Sequence, residues 1–348
     1  APLEACYEDP FAWYQYRDKG YLDFGRGFMG FEVVRSILED LRSSGLGFGV
    51  LNLSWRGEPL MHPEFALVLR HVLSHIERHA TFRELRITTD GRLFNSQFAD
   101  ISLGFHQVPQ TWILQGNAMA PYESQVLRNF EDYLSRRSPN QRVVASWMVE
   151  ETMDPQRFVE TWAGRLRNPW MVAGRLEESG DGIWFARSDH DQFQETLDAR
   201  HRLEEVAGVL GISVDSGDES HPRQCPGAMA TPVVAWDGDL TLCPWDRQVQ
   251  NRVGDVTSDS LSRLWQEDAG VLALRKEAAA VSTPHDAAPP PACDSAICAM
   301  PGVVGRGEGV DARIVAAHAR VVAGLTETDR LRGAHPPGIN PKPGARLP

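Results

Sequence analysis

Four of the five cysteines of this chain fall between Cys225 and Cys298, and no other stretch restricts the possible folds as much. After Cys225-Pro-Gly come two short β-type runs, Thr231 to Ala235 and Leu240 to Leu242, on either side of Asp237-Gly238. An Asp-Gly pair between such runs is a strong short-range signal for a hairpin turn. The hairpin is expected to bring Cys225 near Cys243. A second pair, Cys293 and Cys298, follows after Val253-Gly-Asp-Val and Leu261-Ser-Arg-Leu-Trp265. Four thiolates on two loop pairs form a closed cage of soft ligands, which suits structural zinc or an iron–sulfur cluster. Spacing leaves both open.

Upstream, strands alternate with helices. Phe31 to Ser44 reads as an amphipathic helix with Val33, Val34, Ile37, Leu38 and Leu41 on one face and Gly45 at its end. Strands are predicted over Phe48 to Leu53, Leu85 to Thr88, Thr111 to Leu114 and Arg142 to Val149, and helices over Pro63 to His79, Tyr122 to Arg136 and Pro155 to Arg167. This alternation predicts an α/β fold with a parallel sheet, whose ligand site lies at the C-terminal strand ends. Residues 168–218 are harder to read. Gln192 to Leu210 looks helical, and Arg187, Asp189, His190 and Asp191 read as a surface loop that could also line a substrate site.

The words at the strand ends resemble those of the radical S-adenosylmethionine (radical SAM) enzymes. Gly57-Glu58-Pro59-Leu60-Met-His62-Pro63-Glu64-Phe65 is similar to the family's Gly-Gly-Glu-Pro turn, with Arg56 in place of the first glycine. The resemblance implies that this turn holds the methionyl amino group of S-adenosylmethionine, with Glu58 as anionic acceptor. Thr88-Thr89-Asp90-Gly91 resembles the family's Thr-Asn-Gly. Ile113-Leu114-Gln115-Gly116 occupies the place of its Ser-Leu-Asp-Gly ribose segment, with Ile113 and Gln115 departing from the pattern. Arg128 sits where the family often carries an arginine facing the cofactor's carboxylate; by itself it reads equally as a solvated helix arginine. Gln115 and Asp90 also fit ordinary turn chemistry.

The Cys225 to Cys298 region is similar to the SPASM or twitch extension of the same family. By that resemblance Cys225, Cys243, Cys293 and Cys298 ligate one auxiliary four-iron four-sulfur (4Fe-4S) cluster. The family's catalytic 4Fe-4S cluster is held by Cys-x-x-x-Cys-x-x-Cys; Cys6 matches the third ligand and Leu3 stands at the second. The chain opens on Ala1, and its gene product is expected to extend upstream and supply at least one more cluster cysteine.

The resemblance implies an incomplete (β/α)6-type barrel over 1–215, an auxiliary-cluster domain over 216–305 and a helix with a Pro/Gly-rich tail over 306–348. It further implies an oxidoreductase that cleaves S-adenosylmethionine to a 5′-deoxyadenosyl radical and oxidises or cross-links a peptide or small molecule, with flavodoxin or ferredoxin as reductant. The alternatives are a degenerate, non-catalytic scaffold of the same fold and a zinc-stabilised binding protein. The net charge of −12, with no Lys/Arg cluster, argues against nucleic-acid and anionic-membrane partners. Five cysteines in 348 residues do not resemble a disulfide framework, so the expected compartment is the cytoplasm.

Overall fold

The computed structural model describes residues 27–54, 57–116, 122–148, 154–174, 180–186, 193–215, 231–242, 249 and 252–272. The large sheet alternates with helices as the sequence predicts: α1 (Phe31–Ser44), β1 (Phe48–Asn52), α2 (Phe65–His79), β2 (Phe82–Thr89), α3 (Ser96–Gly104), β3 (Gln110–Gln115), α4 (Glu123–Arg136), β4 (Gln141–Met148) and α5 (Pro155–Ala163). It continues with β5 (Trp170–Gly174), β6 (Gly182–Ala186), α6 (Phe193–Leu210) and β7 (Val214–Asp215). All pairings are parallel, and the spatial order is β1-β2-β3-β4-β6-β5-β7. Parallel neighbours require crossover connections, and helices supply most of them. The fold is therefore the expected α/β class, an open parallel sheet of the incomplete-barrel type.

Local sequence explains the helix limits. Gly45 adopts φ 69° and its N–H bonds Arg42 O, closing α1. Asp154 caps α5 by accepting from Arg157 N, with Pro155 in the first turn. Helix α5 stops at Ala163, short of the predicted Arg167. Arg167 instead turns back: its N–H donates to Asp181 Oδ2 at 2.7 Å and its guanidinium to the carbonyls of Arg137, Ser138 and Gln141.

Leu69, Val72 and Leu73 of α2, Leu85 and Ile87 of β2, Trp112 and Leu114 of β3, and Phe130 and Tyr133 of α4 share one core between sheet and helices. Phe94, ahead of α3, stacks on Phe130 at 3.8 Å and meets Trp112 edge-on at 5.0 Å. Near the N-terminal strand ends, Arg137 forks onto Asp181 with two bonds of 2.6 Å in a buried pair.

The Asp-Gly hairpin forms where predicted. Strands β8 (Val233–Val234) and β9 (Asp239–Thr241) pair antiparallel, and Gly238 takes φ +99° at the turn. The Val253-Gly-Asp-Val step becomes β10 (Arg252–Asp255), which joins β9 in a three-stranded sheet. Helix α7 (Leu261–Glu267) then docks on the large sheet's first elements. Trp265 meets Phe48 edge-on at 5.8 Å, and Asp40 of α1 accepts from Ser262 N at 2.7 Å and Ser262 Oγ at 2.6 Å.

Candidate active site

The turns after β1 and β2 are laced together at the C-terminal strand ends. Gly57 takes φ 84°, and Pro59–Met61 forms one 3-10 turn capped by Glu58, whose Oε1 accepts from Leu60 N at 2.9 Å. The same oxygen accepts from Thr89 Oγ1 at 2.7 Å, and Oε2 accepts from Asp90 N at 2.8 Å. Beside it, Ser54 Oγ donates to Thr88 O at 2.8 Å and accepts from Thr88 N at 2.7 Å. Glu58, Thr89 and Asp90, separated by more than thirty residues in the chain, thus form one buried polar cluster.

Glu58 is 7% exposed. Burial, followed by the neighbouring charge of Asp90, pushes its carboxyl up to about 7, against the pull of its three donors. Oε1 has both lone pairs engaged, whereas among the described residues Oε2 has one donor, which leaves one lone pair. A cation brought to Oε2 would supply the positive charge that the buried carboxylate lacks.

The second turn is held from α4. Gly91 has φ +77°, and a Cβ there would stand 2.7 Å from Val126 Cγ1. Asn129 Nδ2 donates to Gly91 O at 3.2 Å and Arg92 O at 2.9 Å. Arg92 pairs with Asp90 Oδ2 and lies 4.8 Å over the Tyr122 ring. Asp90 is therefore engaged within its own turn. Arg92, Ser54 and Asn129 carry no role in the sequence-based prediction, although the turn chemistry of Asp-Gly-Arg was a legible signal for the first.

His62 fixes the segment entering α1. Its Nδ1 accepts from Glu64 N at 3.0 Å, so the ring proton sits on Nε2 and donates to Met29 O at 2.8 Å. Phe28 meets the His62 ring edge-on at 5.1 Å. Gly27 lies so close to Trp236 of the hairpin turn that any Cβ would overlap the indole.

Gln115 ends β3 beside Ser146 of β4, half-buried, and its carboxamide meets no hydrogen-bond partner among the described residues. The glycine after it is packed tightly: a Cβ on Gly116 would stand 2.7 Å from Ser146 O and 2.9 Å from Trp147. Arg128 is exposed on α4, and among the described residues no hydrogen bond or ion pair joins it to the Glu58 cluster. Cys6, Cys225, Cys243, Cys293 and Cys298 lie outside the described residues, as do Leu3, Arg56, Arg187, Asp189, His190 and Asp191. Among the described residues no group of three or more His, Cys, Asp or Glu side chains is arranged to hold a metal ion, and no helix is long and apolar enough to cross a membrane.

No family model matches the chain. Among solved structures it is similar to BtrN in complex with AdoMet and 2-DOIA, at 15% identity and a TM-score of 0.40, over 72% of this chain and 75% of that one. It is also similar to SuiB of Streptococcus suis bound to S-adenosylmethionine, at 12% identity and a TM-score of 0.47, over 73% of this chain and 63% of that one. A third structure, the 3-keto-D-glucoside 4-epimerase YcjR from E. coli, aligns at 11% identity and a TM-score of 0.25, over 55% of this chain and 92% of that one.

Proposed function

We propose that this chain is an iron–sulfur oxidoreductase of the radical SAM type that oxidises or cross-links a peptide or small molecule. The observation that carries the reading is the Glu58 carboxyl, buried at the strand ends and bonded to both Thr89 and Asp90. Its remaining lone pair on Oε2 and its raised proton affinity suit an ammonium, the group S-adenosylmethionine would present there. Gln115, at the end of β3 and with no hydrogen-bond partner for its carboxamide among the described residues, suits a ribose hydroxyl. When bound, S-adenosylmethionine and a reduced cluster supply a radical able to abstract hydrogen from an unactivated carbon.

In this reading Cys225, Cys243, Cys293 and Cys298 hold an auxiliary cluster and Cys6 contributes to the catalytic one, so none of the five cysteines remains as a hydrogen donor. A cage closed by four protein ligands favours outer-sphere electron transfer over direct substrate contact. The outcome is then loss of two hydrogens from the substrate rather than epimerisation.

The test is anaerobic reconstitution with iron and sulfide, followed by incubation with S-adenosylmethionine and dithionite. Formation of 5′-deoxyadenosine and methionine supports the proposal; stoichiometric zinc with no iron uptake overturns it. A second reading, a non-catalytic scaffold of the same fold, is favoured by the three donors from the chain itself that already engage Glu58. Iron uptake without S-adenosylmethionine binding in calorimetry would select it.

A further inference from the structure

The face of the large sheet turned away from the core helices carries a row of charge. Leu85 and Ile87 pack against the helices, so the alternation of β2 places Glu84, Arg86 and Thr88 on the other face. Register sets Asn52, Arg86, Thr111 and Arg142 side by side across β1 to β4. One carboxylate serves this row. Glu84 Oε1 accepts from Arg86 Nε at 2.9 Å, Thr111 Oγ1 at 2.7 Å and Arg142 Nη2 at 2.8 Å, and Oε2 accepts from Arg86 Nη2 at 3.3 Å.

Two guanidiniums thus share a single carboxylate, which is held ionised because the Arg86 and Thr111 bonds and the arginine charges outweigh the effect of burial. Arg142 has other partners as well, so the inference rests on Arg86. Its Nη1 finds no acceptor among the described residues, yet its side chain is only 18% exposed. A fork held in place by Glu84, with donors left over and water partly excluded, is pre-organised for an oxyanion. Gln115, on the same face of β3, lies four residues beyond Thr111, a rise of about 13 Å. A ligand of modest size can span the row and the strand-end site.

We propose that Arg86, oriented by Glu84 and flanked by Arg142, is a subsite for a carboxylate or phosphate group of the substrate, on the sheet face shared with Gln115. This goes beyond the radical SAM reading and does not depend on it, because anion binding needs neither cluster nor S-adenosylmethionine.

The test is calorimetric titration of the full chain with inorganic phosphate, and separately with succinate, at constant ionic strength made up with chloride. Saturable binding of either anion, weakened at least about tenfold in Arg86→Met and less in Arg86→Lys, supports the proposal. Which of the two anions binds identifies the class. Glu84→Gln keeps a carbonyl acceptor at the Oε1 position to orient Arg86 Nε but removes the competing negative charge, and should tighten binding. Absence of saturable binding by both anions overturns the proposal, as does an Arg86→Met protein that binds like the wild type. If far-UV circular dichroism shows Arg86→Met to be unfolded, the Glu84→Gln arm decides: tighter binding supports the proposal and unchanged or weaker binding overturns it. Loss of anion binding with 5′-deoxyadenosine still formed would remove this subsite and leave the radical chemistry in place.

Discussion

Thr89 Oγ1 donates to Glu58 Oε1 at 2.7 Å while accepting from Gly91 N at 3.0 Å, so one hydroxyl joins the turn after β1 to the turn after β2. Glu58→Gln keeps a carbonyl acceptor for Leu60 N and Thr89 but places an amide opposite Asp90 N. The expected loss is about 1–3 kcal/mol, the usual cost of a buried group left unsatisfied. Urea unfolding measures it.

The pH dependence of that difference has a definite sign. The folded Glu58 carboxyl lies near 7, above its ordinary value of 4.5, because burial and then Asp90 oppose ionisation. The folded chain therefore holds this proton more tightly than the unfolded one. Its contribution is complete below pH 4.5 and is lost as pH rises through about 7. Wild-type stability minus that of Glu58→Gln is expected to fall across this window; a flat difference would show that Glu58 is ionised throughout.

His75 gives the opposite trend. Burial, followed by His79 and His71 on its own helix, pushes its imidazole down to about 4; Glu39 of α1 acts the other way, and Arg42 of α1 adds a smaller push down. Its Nε2 is buried without a hydrogen-bond partner. Stability from the neutral ring is present above pH 6.5 and is lost as pH falls through about 4. Replacing it by phenylalanine, which keeps an aromatic ring next to His79, is expected to flatten this acid limb in pH-dependent thermal unfolding.

Gly116→Ala tests the packing behind Gln115. The added methyl would stand 2.7 Å from Ser146 O and 3.0 Å from Phe158, so β3 and β4 must part or the turn must shift. Overpacking of this kind costs about 1–3 kcal/mol. A variant with unaltered unfolding would show that the strand end yields freely.

Legibility from sequence followed periodicity. Helix α1 was readable to its last residue because its apolar stripe and Gly45 agree. Strands β5 and β6 were not: Trp170–Gly174 and Gly182–Ala186 are five residues each, and a strand covered on both faces shows no alternation. Helix α3 was missed because it is only nine residues long and its polar face amounts to Ser96, Gln97 and Asp100, too short a pattern to stand out, although Asn95, which caps it by accepting from Phe98 N, was a usable sign. At the site, the Glu58 turn was identifiable from residue types in order. Its closure onto Thr89 and Asp90 depends on the β1–β2 register, which no local word encodes. The Arg86 row was hidden for the same reason, its members lying on four different strands.

The bond from Asp40 to Ser262 spans 222 positions. At a translation rate of about 5–20 residues per second, Asp40 leaves the ribosome roughly 10–45 seconds before its partner exists. For that interval the nascent α1 carries a carboxylate with no donor from α7, and Phe48 lacks the Trp265 ring that later meets it. The two ends of the described chain therefore mature together, late and after synthesis, so a ribosome stalled ahead of Ser262 would display an N-terminal helix and strand more open to proteases than in the finished molecule.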